Sequence, residues 1–298
     1  MIANNAFPRS VERLLSESLN EPNIELDSVT PISGGCIHHA AKLQLKDGRD
    51  FFCKSSSGAI DMFAQEALGL AALSNAQVIY VPKVIGIGII QEDVGCLLLE
   101  HISPGHPGQN FWADFGQRFA KLHRTATAES FGWSSDNYIG SSIQKNNAHD
   151  DWPAFFAESR LGYQLRLARQ NAVGSRALFQ YGERLINRID QILAAPSEPP
   201  SLLHGDLWSG NYLVSDGGEP VVIDPAVYYG HREADFAMPL LFGGFATDFF
   251  DAYNEQWPLA DGWQERAEIY KLYHLLNHLN LFGAGYLDSC IEIAKKFA

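Results

Sequence analysis

The stretch Leu203-His204-Gly205-Asp206-Leu207-Trp208-Ser209-Gly210-Asn211, followed by Val222-Ile223-Asp224, constrains this chain most. The apolar run Ser201-Leu202-Leu203 leads into His204, Asp206 follows two residues later, and Asn211 stands five residues beyond Asp206. Tyr212-Leu213-Val214 reads as a short strand, Asp216-Gly217-Gly218 as a hairpin turn, and Pro220-Val221-Val222-Ile223 as the return strand that delivers Asp224 at its end. Taken alone, His-Gly-Asp is a turn tripeptide and an Asp at a strand end is a helix cap. Here two carboxylates and a carboxamide fall at fixed offsets around a two-strand unit, which is far more restrictive.

That arrangement suits phosphoryl transfer. An Asp can orient an attacking hydroxyl while an Asn five residues on holds a divalent cation, and a second Asp at a strand end completes the metal's protein ligands. Mg²⁺ takes hard oxygen donors and keeps several waters, so Asn211, Asp224 and nucleotide phosphates suffice.

The upstream sequence supplies partners for such a site. Val11, Leu14, Leu15 and Leu19 recur at helical spacing after Pro8. Strands are expected over 27–32, 40–45 and 50–54, then a helix over 59–73, then strands over 84–90 and 94–100. Between the first two strands, Ser33-Gly34-Gly35-Cys36-Ile37-His38-His39 can cradle phosphate with backbone N–H groups, or be a plain hairpin turn. It is neither a Gly-x-Gly-x-x-Gly nor a Walker A loop. Lys54 leaves a mostly apolar strand, so it either snorkels outward or is paired inside. Glu66 on the following helix is the favoured partner, and Asp61, nearer the helix start, suits the helix dipole. A Lys held this way grips α/β-phosphates in kinases. Glu100-His101-Ile102 then crosses out of the strand-rich part, and in that reading backbone groups from Glu100 to Ile102 face adenine.

Beyond residue 102 the chain turns helical. Helices are expected over 111–124, 152–172, 178–194, 234–242, 247–256, 262–282 and 286–297, and the polar stretch 130–151 reads as a long loop. His274 and His278 stand four apart on one helix, a spacing two zinc ligands can use, but no third ligand is evident and packing beneath the site is the simpler reading.

Composition narrows the classes. Of 298 residues, 46% are hydrophobic and 19% charged, as in a globular protein, and the net charge of −13 with no basic stripe speaks against a nucleic-acid partner. No apolar run approaches a membrane span, and no signal peptide is evident at the N-terminus. Cys36, Cys53, Cys96 and Cys290 are scattered and form no Cys-x-x-Cys pair, so a reducing, cytoplasmic setting is expected. Cys36 is a candidate redox-sensitive thiol, in a setting that backbone N–H groups and Lys54 make electropositive, or an inert small turn residue.

The order Gly34-Gly35, Lys54, Glu66, Glu100, His204-x-Asp206, Asn211, Asp224 resembles the protein-kinase-like fold, in the branch of aminoglycoside phosphotransferases and choline kinases. Within it the chain resembles the fructosamine kinases, also called ketosamine-3-kinases, over almost its whole length. The residues that carry this are 202–211, Ile223-Asp224-Pro225-Ala226 and Tyr228-Tyr229-Gly230-His231-Arg232-Glu233-Ala234-Asp235, with support from 155–160 and 273–278. The resemblance implies an α+β, two-lobe fold. Residues 1–102 would form a small nucleotide-binding lobe with a five-stranded antiparallel sheet and a helix, and 103–298 a larger, mostly helical catalytic and substrate lobe. It implies ATP and Mg²⁺ as cofactors and transfer of the γ-phosphoryl to the 3-hydroxyl of a small-molecule or protein-bound ketosamine, a deglycation repair. An aminoglycoside, choline or another alcohol is the alternative acceptor. Asp206 would be catalytic; Gly34, Gly35, Lys54, Glu66, Glu100 and Ile102 would bind nucleotide; Asn211 and Asp224 would hold the metal. Trp208 would flank the sugar or pack in the core, and Arg160, His231 and Arg232 would either touch substrate or serve internal ion pairs. His204 and Asp235 would support the catalytic loop. A monomer or a dimer fits equally.

Overall fold

A computed structural model describes residues 6–32, 39–194 and 197–298. Gly34, Gly35, Cys36 and His38 lie outside the described residues. In chain order come α1 (Ala6–Leu19), β1 (Leu26–Ile32), β2 (His39–Leu45), β3 (Asp50–Ser57), α2 (Ile60–Asn75), β4 (Val84–Gln91) and β5 (Val94–Glu100). Then follow α3 (Phe111–Thr125), β6 (Asn137–Ile139), β7 (Ser142–Gln144), α4 (Trp152–Phe155), a π-helical segment (Phe156–Gly162), α5 (Tyr163–Gln170), α6 (Arg176–Ile186), α7 (Ile189–Ile192) and β8 (Ser201–Leu203). The last part holds β9 (Tyr212–Val214), β10 (Pro220–Val222), β11 (Tyr228–Gly230), a 3-10 turn (Arg232–Phe236), α8 (Ala237–Phe242), α9 (Thr247–Gln256), α10 (Trp263–Phe282), a second 3-10 turn (Ala284–Tyr286) and α11 (Leu287–Phe297). Among the described residues no helix is long and apolar enough to cross a membrane.

Two compact units result. The first comprises Met1–Gln109 with Leu213–Asp224, and the second Asn110–Tyr212 with Pro225–Ala298. The first is built on an antiparallel sheet of order β1-β2-β3-β5-β4. Strand side chains alternate between faces, so Cys53 and Lys54 must point opposite ways. Cys53 joins Val11, Leu15, Leu43, Leu45 and Leu98 in the core against α1. Lys54 meets Glu66 of α2 on the other face. Gly95 lets α2 sit close: a Cβ there would come within 2.7 Å of the Ile60 nitrogen. The β9–β10 hairpin joins this unit through a parallel bridge between Tyr80 and Val221, with Val222 N–H donating to the Tyr80 carbonyl at 3.0 Å.

The second unit packs around α10, buried on most of its circumference, which is why its sequence shows little amphipathic bias. Trp152, Phe155, Phe156, Tyr228, Tyr270, Tyr273 and Leu276 form the largest part of its core. The helices α3 and α9 approach closely at Gly116, where a Cβ would stand 2.2 Å from the Phe249 carbonyl oxygen.

Three sequence expectations are corrected. The stretch 130–151 is not all loop: β6 and β7 form a hairpin in it. Its polar residues are buried and hydrogen-bonded: Asn137 donates to the Val227 carbonyl at 2.7 Å, and Gln144 donates to the Ala226 carbonyl at 2.9 Å and accepts from Tyr273 at 2.8 Å. The expected helix 152–172 is interrupted by seven residues of π-helix, and Gly162 allows the wide turn, since a Cβ would lie 2.7 Å from the Ala157 oxygen. The expected helix 178–194 begins earlier, capped by Ser175, whose hydroxyl accepts from Leu178 N–H at 3.2 Å, and breaks at Asn187-Arg188, Asn being a weak helix former.

Candidate active site

In the first unit, Lys54 is the centre. Its Nζ donates to Glu66 at 2.6 Å and to Asp224, and its side chain is only 9% exposed. Burial alone would lower its pKa, but the Asp224 and Glu66 carboxylates outweigh that and raise it, so Lys54 is a fixed cation. Burial also raises the Glu66 pKa, which the Lys54 charge partly offsets. Asp224 follows β10 with φ of 52°, a left-handed backbone uncommon for a non-glycine residue and tolerated best by Asn and Asp. Such strain costs on the order of 1–3 kcal/mol and concentrates at functional positions. The side chain of Glu100 has internal partners: it accepts from the Tyr80 hydroxyl at 2.8 Å and from Lys83 N–H at 3.1 Å. Burial, then this contact, pushes Tyr80 up to about 12. Ile102 is half-buried beyond the strand end.

In the second unit, β8 pairs antiparallel with β11 and ends at Leu203, so the loop from His204 starts on a fixed strand. Gly205 adopts φ of 81°, and a Cβ there would meet the Ala226 oxygen at 2.1 Å, so only glycine fits. Asp235 clamps this turn. One carboxylate oxygen accepts from His204 N–H at 2.7 Å and the other from Gly205 N–H at 2.8 Å. His123 Nε2 stands 3.1 Å from the first of these oxygens, and its Nδ1 lies 2.9 Å from the Tyr253 hydroxyl. A carboxylate only accepts, so Nε2 carries the proton and Nδ1 accepts from Tyr253. Asn211 Nδ2 donates to the Asp206 carbonyl at 2.8 Å and to its carboxylate at 3.1 Å, closing the five-residue loop. Asp206 is half-buried and His204 fully buried. The half-buried Trp208 ring lies against Phe242 at 6.2 Å and covers Gly210, where a Cβ would come within 2.4 Å of the indole.

Arg160, His231 and Arg232 are all buried among internal partners. Arg160 lies over Tyr228 at 4.0 Å and Phe155 at 4.6 Å, donates to Asn146 at 2.9 Å and also reaches the Lys145 carbonyl. Arg232 forms a two-pronged pair with Glu198 at 2.8 and 2.9 Å, donates to the Trp257 and Pro258 carbonyls, and stacks over Trp257 at 3.9 Å. His231 stands 3.9 Å from Glu198 and 3.8 Å from Glu233, and burial lowers its pKa. The support of Asp235 by His123 and Tyr253 was absent from the sequence reading, because no local motif marks a helix His whose partner is 112 residues away.

Each expected metal ligand, taken within its own unit, is an oxygen donor of the kind Mg²⁺ takes. Asn211 spends its amide nitrogen on Asp206, so its remaining polar atom is an oxygen, and Asp224 is a carboxylate with a side chain 44% exposed.

The fructosamine kinase family profile matches residues 8–297. A Synechocystis protein named as a probable ketoamine kinase is 38% identical over 297 residues, covering 99% of each chain. The Arabidopsis thaliana protein-ribulosamine 3-kinase, chloroplastic, is 40% identical over 274 residues, covering 92% of this chain and 83% of that one. A crystal structure assigned to a fructosamine-3-kinase of Thermobifida fusca superposes with a TM-score of 0.85 at 35% identity, covering 96% of this chain and 97% of that one. An aminoglycoside phosphotransferase shares the fold at TM-score 0.64 and 18% identity, covering 96% and 99%. By the extent of these matches, the chain belongs to the fructosamine kinase family.

Proposed function

We propose that the protein transfers the γ-phosphoryl group of ATP to the 3-hydroxyl of a ketosamine. The observation that carries this reading is the Asp206 carboxylate, fixed by Asn211 within a loop whose backbone Asp235 clamps. The names of the relatives, ketoamine kinase and protein-ribulosamine 3-kinase, support the acceptor class.

In this reading Asp206 orients the 3-hydroxyl toward the γ-phosphorus and takes its proton as the new P–O bond forms, while the bond to the ADP oxygen breaks. A loose transition state asks little base strength of the carboxylate, so position matters more than pKa. Lys54, made a permanent cation by Glu66 and Asp224, binds the α/β-phosphates. Asn211 and Asp224 would hold Mg²⁺, which when bound neutralises charge on the β/γ oxygens. Trp208 offers its face to the sugar. Three buried thiols, Cys53, Cys96 and Cys290, support a reducing compartment such as the cytoplasm.

Asp206→Asn is expected to fold normally and to lose at least ~10²-fold in kcat, the scale of a lost general base. The measurement is ADP release across ribulosamines, fructosamines, aminoglycosides and choline. Wild-type turnover of aminoglycosides or choline with none of the ketosamines would replace this acceptor assignment.

A further inference from the structure

The backbone of Ala226 joins the catalytic loop to a buried network of side-chain amides. Its N–H donates to the His204 carbonyl at 2.9 Å. Its own carbonyl oxygen lies against Gly205, where a Cβ would stand only 2.1 Å away. Asp206 follows Gly205, so a shift of Ala226 reaches that carboxylate through one close contact and one hydrogen bond. On the other side the Ala226 carbonyl accepts from Gln144 Nε2 at 2.9 Å, and the Val227 carbonyl accepts from Asn137 Nδ2 at 2.7 Å. Both carbonyls lie ahead of the paired register of β8 and β11, Tyr228–Gly230, and side chains serve them instead.

The Gln144 amide is held at every corner. Nε2 donates one hydrogen to Ala226 and the other to Asn137 Oδ1 at 2.9 Å, and Oε1 accepts from the Tyr273 hydroxyl at 2.8 Å. Asn137 Oδ1 also accepts from Asn146 at 2.8 Å, and Asn146 Oδ1 accepts from Arg160 at 2.9 Å. Burial raises the Tyr273 pKa, so its hydroxyl stays a donor. Gln144 is 1% exposed, and Asn137, Asn146, Arg160 and Tyr273 are buried with it. Such a network is stiff, because displacing any member breaks a bond that water is not there to replace.

The peptide between His204 and Gly205 is therefore gripped at both ends: its N–H by Asp235, its C=O by Ala226. We infer that Gln144 is a positioning residue for Asp206, acting through Ala226 on that peptide. Resting on the ketosamine kinase reading, this gives the β6–β7 hairpin a part in the chemical step. Without Gln144 both substrates still bind, but the carboxylate is no longer held where the acceptor hydroxyl needs it.

A double-substitution cycle tests this, with ATP and the ribulosamine of methylamine, and with rates referred to the concentration of ATP-binding sites so that unfolded protein does not register. Gln144→Met keeps the size and loses both donors. Its kcat should fall about tenfold, with KM for either substrate within about twofold, because misplacing a reacting group slows chemistry rather than binding. In the Asp206→Asn background the same change should lower kcat by less than about twofold, since the carboxylate it positions is already gone. Tyr273→Phe removes only the hydroxyl that orients the Gln144 amide. It should show the same pattern at about threefold, and it carries the test if Gln144→Met does not fold. Equal fold losses with and without the Asp206 carboxylate overturn the inference, and so does an unchanged kcat in Gln144→Met. If Asp206→Asn turns over at the wild-type rate, Gln144 has nothing to act through and falls with it. A wild type that ignores the ribulosamine but phosphorylates another alcohol overturns the acceptor reading alone, and the same cycle with that alcohol decides Gln144.

Discussion

Lys54 has two carboxylates and almost no water, so each partner matters more than a surface charge would. Replacing Glu66 by Gln leaves Lys54 with Asp224 alone. Breaking a buried pair costs 3–5 kcal/mol in general, and with one partner kept the loss here should sit at the low end, about 3 kcal/mol by urea unfolding. The apparent KM for ATP should rise about tenfold while that for the ketosamine holds, because in the proposed reading Lys54 serves only the nucleotide. The Lys54–Glu66 contact was legible in sequence: an apolar strand ending in Lys and a helix with one central acid leave few other pairings. The third member was not, since Asp224 lies 170 residues away and only the tertiary fold brings it to Lys54. Arg160 was equally opaque, because whether an Arg on a helix meets substrate or an aromatic cage depends on rings from three separate segments, Phe155, Tyr228 and Tyr273.

At the level of elements, the clearest dependence is that of α3 on α9. Gly116→Ala would push a methyl into the Phe249 carbonyl, backbone that cannot swing aside. The two helices must separate, at a cost of about 1–3 kcal/mol by chemical denaturation. Gly182 makes a useful contrast. A Cβ there meets the Leu165 side chain at 2.7 Å, a group that can change rotamer, so Gly182→Ala should cost less. Strands of the first unit were legible because alternation and turn residues are local signals. The β6–β7 hairpin was hidden because its stability comes from Asn137, Gln144 and Asn146 bonding to each other and to Ala226 and Val227, and polar side chains read as solvated until their partners are known.

For the molecule as a whole, buried histidines set the acid limit. Burial pushes His274 down to about 3, and His123 and His231 are lowered by burial too. The unfolded chain takes up protons below the ordinary histidine value of about 6.5 that the native state refuses. Each such group therefore gives its full stability above that pH and loses it as pH drops below, by up to ~1.4 kcal/mol per pH unit, and for His274 the loss continues toward about 3. His274→Leu should flatten this dependence. Urea unfolding at about pH 7, 6 and 5 should show the difference between variant and wild type moving in the variant's favour by about 1 kcal/mol per unit below pH 6. A constant difference would mean that His274 titrates alike in both states.

The first unit is not one continuous stretch: its last piece, Leu213–Asp224, is separated from Gln109 by more than a hundred residues. A ribosome delivers the chain in one direction at ~5–20 residues per second. Lys54 and Glu66 thus emerge together, and Asp224 follows only after a wait of roughly 8–30 seconds at that rate. During that interval the ammonium has half of its final counter-charge, and the β9–β10 hairpin that bridges to Tyr80 does not yet exist. A chain released early, anywhere before residue 213, would carry the sheet without the carboxylate that completes it. Nascent chains halted at successive lengths should accordingly gain protease resistance in the N-terminal sheet in two steps, the second only once Asp224 has cleared the exit tunnel.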